Sequence, residues 1–368
     1  LVTNSSNRHS LMLINGKPYR SIWLDEETSN VHVIDQRALP WRVEIRSMRS
    51  SDDAYEAISD MTVRGAPLIG ATAAWGLYLT ARAEPENYEH LRRTANKLMK
   101  ARPTAINLRW AVEKVMSGID PNQDLRTQTR QLAESICDDD VATCSAIGDH
   151  GVALINRLTD GASPVNVLTH CNAGWLATVD RGTATAPIYS AQEQGILVHV
   201  WVDETRPRNQ GASLTAWELH HQNIAHTIIV DNAGGLLMQR GDVDMVIVGT
   251  DRTTARGDVV NKIGTYLKAL SAHDNDIPFY VALPTSTIDW TVSDGQEVPI
   301  EDRSDMEVTH LQGPDATGEL QNIQVTHNSP VLNPGFDVTP AHLVTGFITE
   351  FGIFRPDELQ SLRKLLAY

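Results

Sequence analysis

The chain is expected to form an α/β fold: a Rossmann-like parallel-sheet domain over 150–368, preceded by a small antiparallel sheet and a helical bundle over 11–149. Three observations carry this. Short alternating runs broken by Asn15-Gly16 open the chain, a helical period begins at about Ser51, and five runs rich in β-branched residues appear after Ser163-Pro164.

The elements follow in order. Over 11–44 apolar and polar residues alternate, and Asn-Gly is a two-residue hairpin signal, so the opening reads as a small antiparallel sheet. Ser51-Asp-Asp-Ala-Tyr-Glu-Ala-Ile caps and starts a first helix, and 69–82, rich in Ala, Leu and Trp, reads as a buried one. Further helices are expected at 87–99, 108–116 and 126–158. Strands are expected at 165–171, 197–203, 227–231, 245–251 and 279–283, with helical segments or turns between them. Continuous apolar strands of this kind belong to a parallel sheet covered on both faces. Asp337-Val-Thr339-Pro340 places a Thr cap before a proline and predicts the start of the final helix.

Composition narrows the function. The chain has 368 residues, of which 41% are hydrophobic and 21% charged, as in an ordinary globular protein. No run approaches the roughly 20 apolar residues that span a bilayer, and the first ten residues lack the apolar core of a signal peptide. A net charge of −15 repels phosphate backbones at long range, so nucleic acid is not expected as a partner, and without a spanning run neither is a membrane. A few local cations can still hold a small anion. Three cysteines, an odd number, argue against a disulfide framework and for a reducing, cytoplasmic setting. Cys137 and Cys144, seven apart in a helical pattern, are expected to face a helix core.

In parallel sheets ligands bind beyond the carboxyl ends of the strands. Four strands here end in reactive runs: Thr169-His170-Cys171-Asn172, Asp203-Glu204-Thr205-Arg206, Gly249-Thr250-Asp251-Arg252 and Pro284-Thr285-Ser286-Thr287. A His170–Cys171 dyad is disfavoured because adjacent strand residues point to opposite faces. No Cys-x-x-Cys or His-x-x-x-His spacing suggests a metal, and His220, His221 and His226 fit surface or capping roles. The Gly-x-Gly-x-x-Gly fingerprint is absent, so no nucleotide cofactor is expected. A buried, inert Cys171 stays open on these grounds. Arg64-Gly65-Ala66-Pro67, Arg102-Pro103-Thr104 and Asn261-Lys262 on a turn before a helix each offer an anion site at a helix start. Residues alone therefore give an α/β enzyme with an anionic ligand.

Longer stretches carry a resemblance. Arg64-Gly-Ala-Pro-Leu-Ile-Gly70, Thr169-His-Cys-Asn-Ala-Gly174, Asp203-Glu-Thr-Arg-Pro-Arg-Asn-Gln-Gly-Ala212, Gly249-Thr-Asp-Arg252, Gly257-Asp-Val-Val-Asn-Lys-Ile-Gly264 and Asn333-Pro-Gly-Phe-Asp-Val-Thr-Pro340 resemble the methylthioribose-1-phosphate isomerase family, in its order and over nearly the whole chain. The resemblance implies conversion of 5-methylthioribose 1-phosphate to 5-methylthioribulose 1-phosphate in methionine salvage, without metal or nucleotide, in a homodimer. By matching position it implies Cys171 and Asp251 as catalytic residues and Arg64, Gly65, Ala66, Arg102, Gln210, Asn261 and Lys262 as substrate ligands.

The chemistry gives the pair a rationale. A sugar phosphorylated on its anomeric oxygen cannot open to a free aldehyde, so the ring oxygen needs a proton donor. Asp251 would supply it from a dry, apolar setting that favours the protonated carboxyl. Cys171 would take the C2 proton as thiolate, or only stabilise a hydride shift. Ribose-1,5-bisphosphate isomerases, which require a second phosphate site, and the non-enzymatic regulatory subunits of the initiation factor two exchange factor are the alternative relatives. Gly174 and Gly182-Thr-Ala184 fit the methylthioribose branch better. Ala173, Thr250, Asn209, Ser213 and Asp180-Arg181 depart from the usual pattern in loops expected near the sugar, which keeps 5-deoxyribose 1-phosphate open as a substrate.

Overall fold

The computed structural model describes residues 12–102 and 105–366. The polar opening and the Pro103-Thr104 part of the second anion turn lie outside them. Asn15 and Gly16 take φ of 50° and 74° between β1 (Met12–Ile14) and β2 (Lys17–Tyr19), the doubly left-handed turn that suits a tight hairpin. β3 (Ile22–Leu24), β4 (Val31–Ile34) and β5 (Ile45–Met48) form a separate antiparallel sheet. The opening is thus two small sheets.

Five helices follow. A capping box between Ser50 and Asp53 starts α1 (Ser51–Ser59), one residue before the expected cap. α2 (Ala66–Ala83) is buried along nearly its whole length, which fits its lack of a polar face. α3 (Tyr88–Leu98), α4 (Ile106–Ser117) and α5 (Leu125–Leu158) join it in one apolar core. Cys137 and Cys144 are buried and unbridged on α5, and Trp75 Nε1 donates to Cys137 Sγ at 3.3 Å. The division expected at 149/150 falls inside α5.

The sheet unit begins with β6 (Val165–Thr169), α6 (Ala186–Glu193), β7 (Val198–Asp203), α7 (Ala216–His221), β8 (Ala225–Ile229), α8 (Ala233–Arg240) and β9 (Met245–Val248). It continues through β10 (Arg252–Thr254), β11 (Val259–Lys262), α9 (Thr265–Asp274), β12 (Phe279–Ala282), β13 (Ile288–Asp289), α10 (Met306–Thr309), β14 (His310–Pro314) and β15 (Leu320–Gln324). β16 (Phe336–Thr339), β17 (Gly346–Thr349), β18 (Gly352–Phe354) and α11 (Leu359–Leu365) complete it. Seven strands run in the order β18-β17-β12-β9-β6-β7-β8, parallel except for β18. The five expected strands form its centre and one edge. Gly148 and Gly151 let α5 press against Ser190 and Pro187 of α6, so one helix serves both cores.

The chain winds from β6 outward to β8, then returns to the other side of β6 at β9. That reversal opens a crevice at the carboxyl ends of β6 and β9, the place where such sheets bind ligands.

Two expectations are corrected here. Phe336–Thr339 is not a helix entrance but strand β16, paired antiparallel with β11. Pro340 leads into a single 3-10 turn, Ala341–Leu343, instead of a helix, and the last described helix is α11. Cross-strand pairing and burial of Thr339 override the local capping signal. For the same reason Asn261 and Lys262 stand on a strand and not on a turn: β11 is one of the two inner strands of a second sheet, β13-β10-β11-β16, whose members carry no clear strand signal in the sequence.

Candidate active site

Cys171 and Asp251 stand on the two sides of the crevice. Beyond β6 the chain turns sharply at Cys171, with φ 66°. A non-glycine residue there costs about 1–2 kcal/mol and needs holding. Two threonines hold it: Cys171 N–H donates to Thr205 Oγ1 at 2.8 Å, and Thr215 Oγ1 donates to the Cys171 carbonyl at 2.7 Å. Thr215 ends a π-helical turn, Gly211–Thr215, that leads into α7. On the other side Asp251 N–H donates to the Val260 carbonyl at 3.0 Å, tying the end of β9 to β11, which carries Asn261 and Lys262.

Cations gather around this pair. Arg64, Gly65 and Ala66 stand at the start of α2, where free N–H groups favour an anion. Gly65 has φ 92° and a Cβ there would lie 2.5 Å from Ala177, so no larger residue fits. Arg64 grips Asn172 with two bonds, Nη1 to Oδ1 at 2.5 Å and Nη2 to the carbonyl at 2.6 Å. Arg102 is largely buried; its Nε has no partner among the described residues, and its nearest carboxylate, Glu301, is 4.0 Å away. Lys262 is buried with its ammonium 5.2 Å from the centre of the Phe336 ring. Arg303 completes the group, held by Glu307 and Glu301.

Two adjoining cavities share Arg64, Gly65, Cys171 and Asp251 in their walls. Ala66 and Asn261 line the inner one; Arg102, Gln210, Lys262 and Arg303 line the outer. The fold therefore brings all nine residues singled out in the sequence to one place. A wider groove of about 320 Å³ opens outward from Arg64 and Gln210.

The electrostatics oppose one another. Burial pushes the Cys171 thiol up, Arg64 and Lys262 pull it back, and Asp251 pushes it up again. Burial also holds Lys262 and Arg102 below their usual ranges, and neighbouring Arg303 adds to both shifts. Several buried cations repelling one another is the signature of a site built for an anion. The apolar setting expected for Asp251 ends with β9, which is buried at every position. The carboxyl itself faces charge, acting on Arg102, Lys262 and Cys171.

Some neighbours had no signal in the sequence. Arg303 sits in an acidic stretch where its proximity to Arg102 depends on the fold. Glu218 lies 47 positions from Cys171 in a helix pattern, yet it is fully buried against the same turn. Asn172, Thr205 and Thr215 could have been suspected from the motifs that contain or flank them. Among the departures, Ala173 and Thr250 line the inner cavity, and Asn209 and Ser213 the groove. Asp180-Arg181 does not stand near the sugar site as expected. Arg181 is buried and pairs with Glu193 at 2.8 Å, and Asp180 accepts from Arg181 N–H at 2.9 Å.

His170 leaves neither ring nitrogen for Cys171, since Nδ1 meets Asp203 at 2.7 Å and Nε2 the Ile263 carbonyl at 2.9 Å. His170, Asp203 and Asp231 do bring three potential metal-ligand atoms within 4.8 Å of one another. Lys268 already supplies a cation there, with Nζ 3.0 Å from Asp203 and bonded to the Asp231 carbonyl. His221 and His226 bond to nearby carbonyls of Trp217 and Ile224.

Gly174 shows how tightly the Cys171 turn is seated. A Cβ there would lie 1.7 Å from Glu218 Oε2. Gly174→Ala is expected to cost about 3 kcal/mol or more of stability, read as a lowered urea midpoint with unchanged slope.

Comparison with known proteins adds a family. The Initiation factor 2 subunit family model matches residues 62–356. The chain is 56% identical over 351 residues to a methylthioribose-1-phosphate isomerase of Methylocella silvestris, covering 94% of this chain and 96% of the relative. It is 56% identical over 352 residues to the enzyme of the same name from Acidiphilium cryptum, again covering 94% and 96%. Among solved structures, 5-methylthioribose 1-phosphate isomerase from Pyrococcus horikoshii OT3 aligns with a TM-score of 0.82 at 37% identity, covering 95% of this chain and 96% of that one. The delta subunit of translation initiation factor eIF-2B from A. fulgidus aligns at 0.78 with 38% identity, covering 95% and 100%.

Proposed function

The chain belongs to the initiation factor 2 subunit family, and we propose that it is an aldose–ketose isomerase converting 5-methylthioribose 1-phosphate to 5-methylthioribulose 1-phosphate in methionine salvage. One observation carries this reading beyond kinship: a thiol and a carboxyl face each other across a cationic cleft at the switch point of the sheet.

In this proposal the phosphate sits among Arg102, Lys262 and Arg64, with Gly65 and Ala66 offering helix-start N–H groups and Gln210 and Asn261 adding polar contacts. Asp251 gives a proton to the ring oxygen as the bond from C1 to that oxygen breaks. Cys171 thiolate takes the proton from C2, and the electron pair of the broken C–H bond forms the C1–C2 double bond of an enol phosphate. The C2 hydroxyl then returns its proton to Asp251 as the ketone forms, and Cys171 delivers its proton to C1. A hydride moving from C2 to C1, with Cys171 only stabilising the charge, is the competing route.

The turnover panel uses 5-methylthioribose 1-phosphate, 5-deoxyribose 1-phosphate and ribose 1,5-bisphosphate. The first is expected to be the best substrate, and no turnover of any sugar 1-phosphate overturns the reading. Against the bisphosphate, Arg37 and Arg208 in the outer groove are already paired, with Asp35 and Asp60 and with Glu307.

Lys262 gives a pH test. Its ammonium is held below the usual lysine range, so phosphate binding weakens as pH rises through that lowered value. KM is expected to climb on the alkaline side. Lys262→Met raises KM by about 10- to 100-fold and removes that climb, measured as KM against pH for both proteins.

The proposal extends to organisation. An N-terminal unit through residue 149 supplies Arg64 and Arg102, and a sheet unit from 150 supplies Cys171, Asp251 and Lys262. A cytoplasmic homodimer is proposed with it. Leu236 on α8 and Leu267 and Leu270 on α9 are exposed on contacting helices, which supports a covered face there. None of the described helices is long and apolar enough to cross a membrane.

A further inference from the structure

Glu218, on α7, is a fully buried carboxylate that the proton transfers do not use. Its four hydrogen bonds all come from the loop that carries the site or from the helix behind it. Oε1 accepts from Asn172 Nδ2 at 3.0 Å and from Leu176 N–H at 2.9 Å. Oε2 accepts from Trp175 N–H and from the Tyr189 hydroxyl, both at 3.1 Å. Burial pushes this carboxyl up to about 7, and the donors, with Arg64 beyond them, favour its ionised form.

Asn172 is the link. A side-chain amide donates at one end and accepts at the other. Its donor end is taken by Glu218 and by Thr215 Oγ1 at 3.2 Å, so its oxygen must face the other way. There it meets the Arg64 guanidinium, which also holds the Asn172 carbonyl. With the amide reversed, two donors would confront each other at Arg64. The direction of the guanidinium thus follows from the buried carboxylate two links away. Gly174 is small for the same reason: the carboxylate occupies the space its side chain would take.

We propose that Glu218 is a positioning residue for phosphate recognition, acting through Asn172 to aim Arg64 into the anion pocket. This rests on the reading of Arg64 as a phosphate ligand given above.

The test measures inorganic phosphate affinity by calorimetry, together with kcat and KM for the sugar 1-phosphate. The variants are Glu218→Gln, Asn172→Ala, Arg64→Ala and the double variants that contain Arg64→Ala. Glu218→Gln and Asn172→Ala are each expected to weaken phosphate binding and raise KM about tenfold, with kcat falling by no more than about threefold. In the Arg64→Ala background neither should weaken phosphate further, because coupled residues are not additive. A loss that persists in full without Arg64, or unchanged phosphate affinity in folded Asn172→Ala, overturns the proposal. Asn172→Ala leaves Glu218 three of its four donors, so it carries the comparison if Glu218→Gln does not fold. A wild-type protein that binds phosphate but turns over no sugar phosphate sinks the isomerase reading alone; the affinity ratios still decide the positioning role.

Discussion

Asp251→Asn is expected to lower kcat by about 10²- to 10⁴-fold, the range a positioned general acid supplies. The substitution is nearly isosteric and keeps the backbone bond to Val260, so the end of β9 stays tied to β11. What it removes is the transferable proton, while the neutral amide fills the same space as the protonated carboxyl. Substrate binding should therefore hold while turnover collapses. Steady-state kinetics separates these: a large fall in kcat with KM unchanged or lower is the signature of a group that works only in the transition state. Near-normal turnover, or a rise in KM alone, would remove Asp251 from the chemistry.

Cys171→Ser is expected to reduce kcat by about 10²-fold or more, because a serine hydroxyl is far harder to ionise than a thiol. The wild-type thiol is held above its ordinary range by burial, despite Arg64 and Lys262. An acid with a raised pKa is mostly protonated at neutral pH, and its thiolate fraction grows about tenfold per pH unit below that pKa. Turnover should accordingly climb from neutral to alkaline pH in the wild type and level off once the thiol is ionised, a plateau the serine variant should not reach. Solvent deuterium decides the route. Deuterium at C1 of the product marks the proton-transfer path, in which the thiol exchanges with solvent before it delivers its proton; its complete absence would argue strongly against that path and for a hydride shift that leaves Cys171 an electrostatic role.

The legible parts of the molecule are those in which local pattern and tertiary setting agree. The Asn15-Gly16 hairpin, the buried α2 and the five parallel strands all follow from short-range signals: turn residues, a helical period without a polar face, and continuous apolar runs. The strand ends were also legible, because a strand that stops being buried shows its polar residues in order. Cys171 and Asp251 could be placed at such ends without any knowledge of the reaction.

Where local and long-range preferences conflict, the sequence misleads. Thr339-Pro340 has the chemistry of a helix cap, yet Phe336–Thr339 pairs with β11 because a buried strand partner outweighs one capping bond. Asn261 and Lys262 followed the same logic onto a strand. Asp180-Arg181 looked like a substrate loop and is instead a buried anchor, since Arg181 finds Glu193 on α6.

Residue patterns alone suffice for the fold class, the reactive residues at the strand ends and the family they resemble. How those residues work together depends on contacts that the folded chain makes. The return of the chain from β8 to β9 puts Cys171 beside Asp251, although 80 positions separate them. It also brings Arg303 next to Arg102 and sets Glu218 beneath Asn172. The reason is physical: propensity and periodicity act within a few residues, whereas charge repulsion, burial and hydrogen-bond satisfaction act across whatever the fold brings into contact.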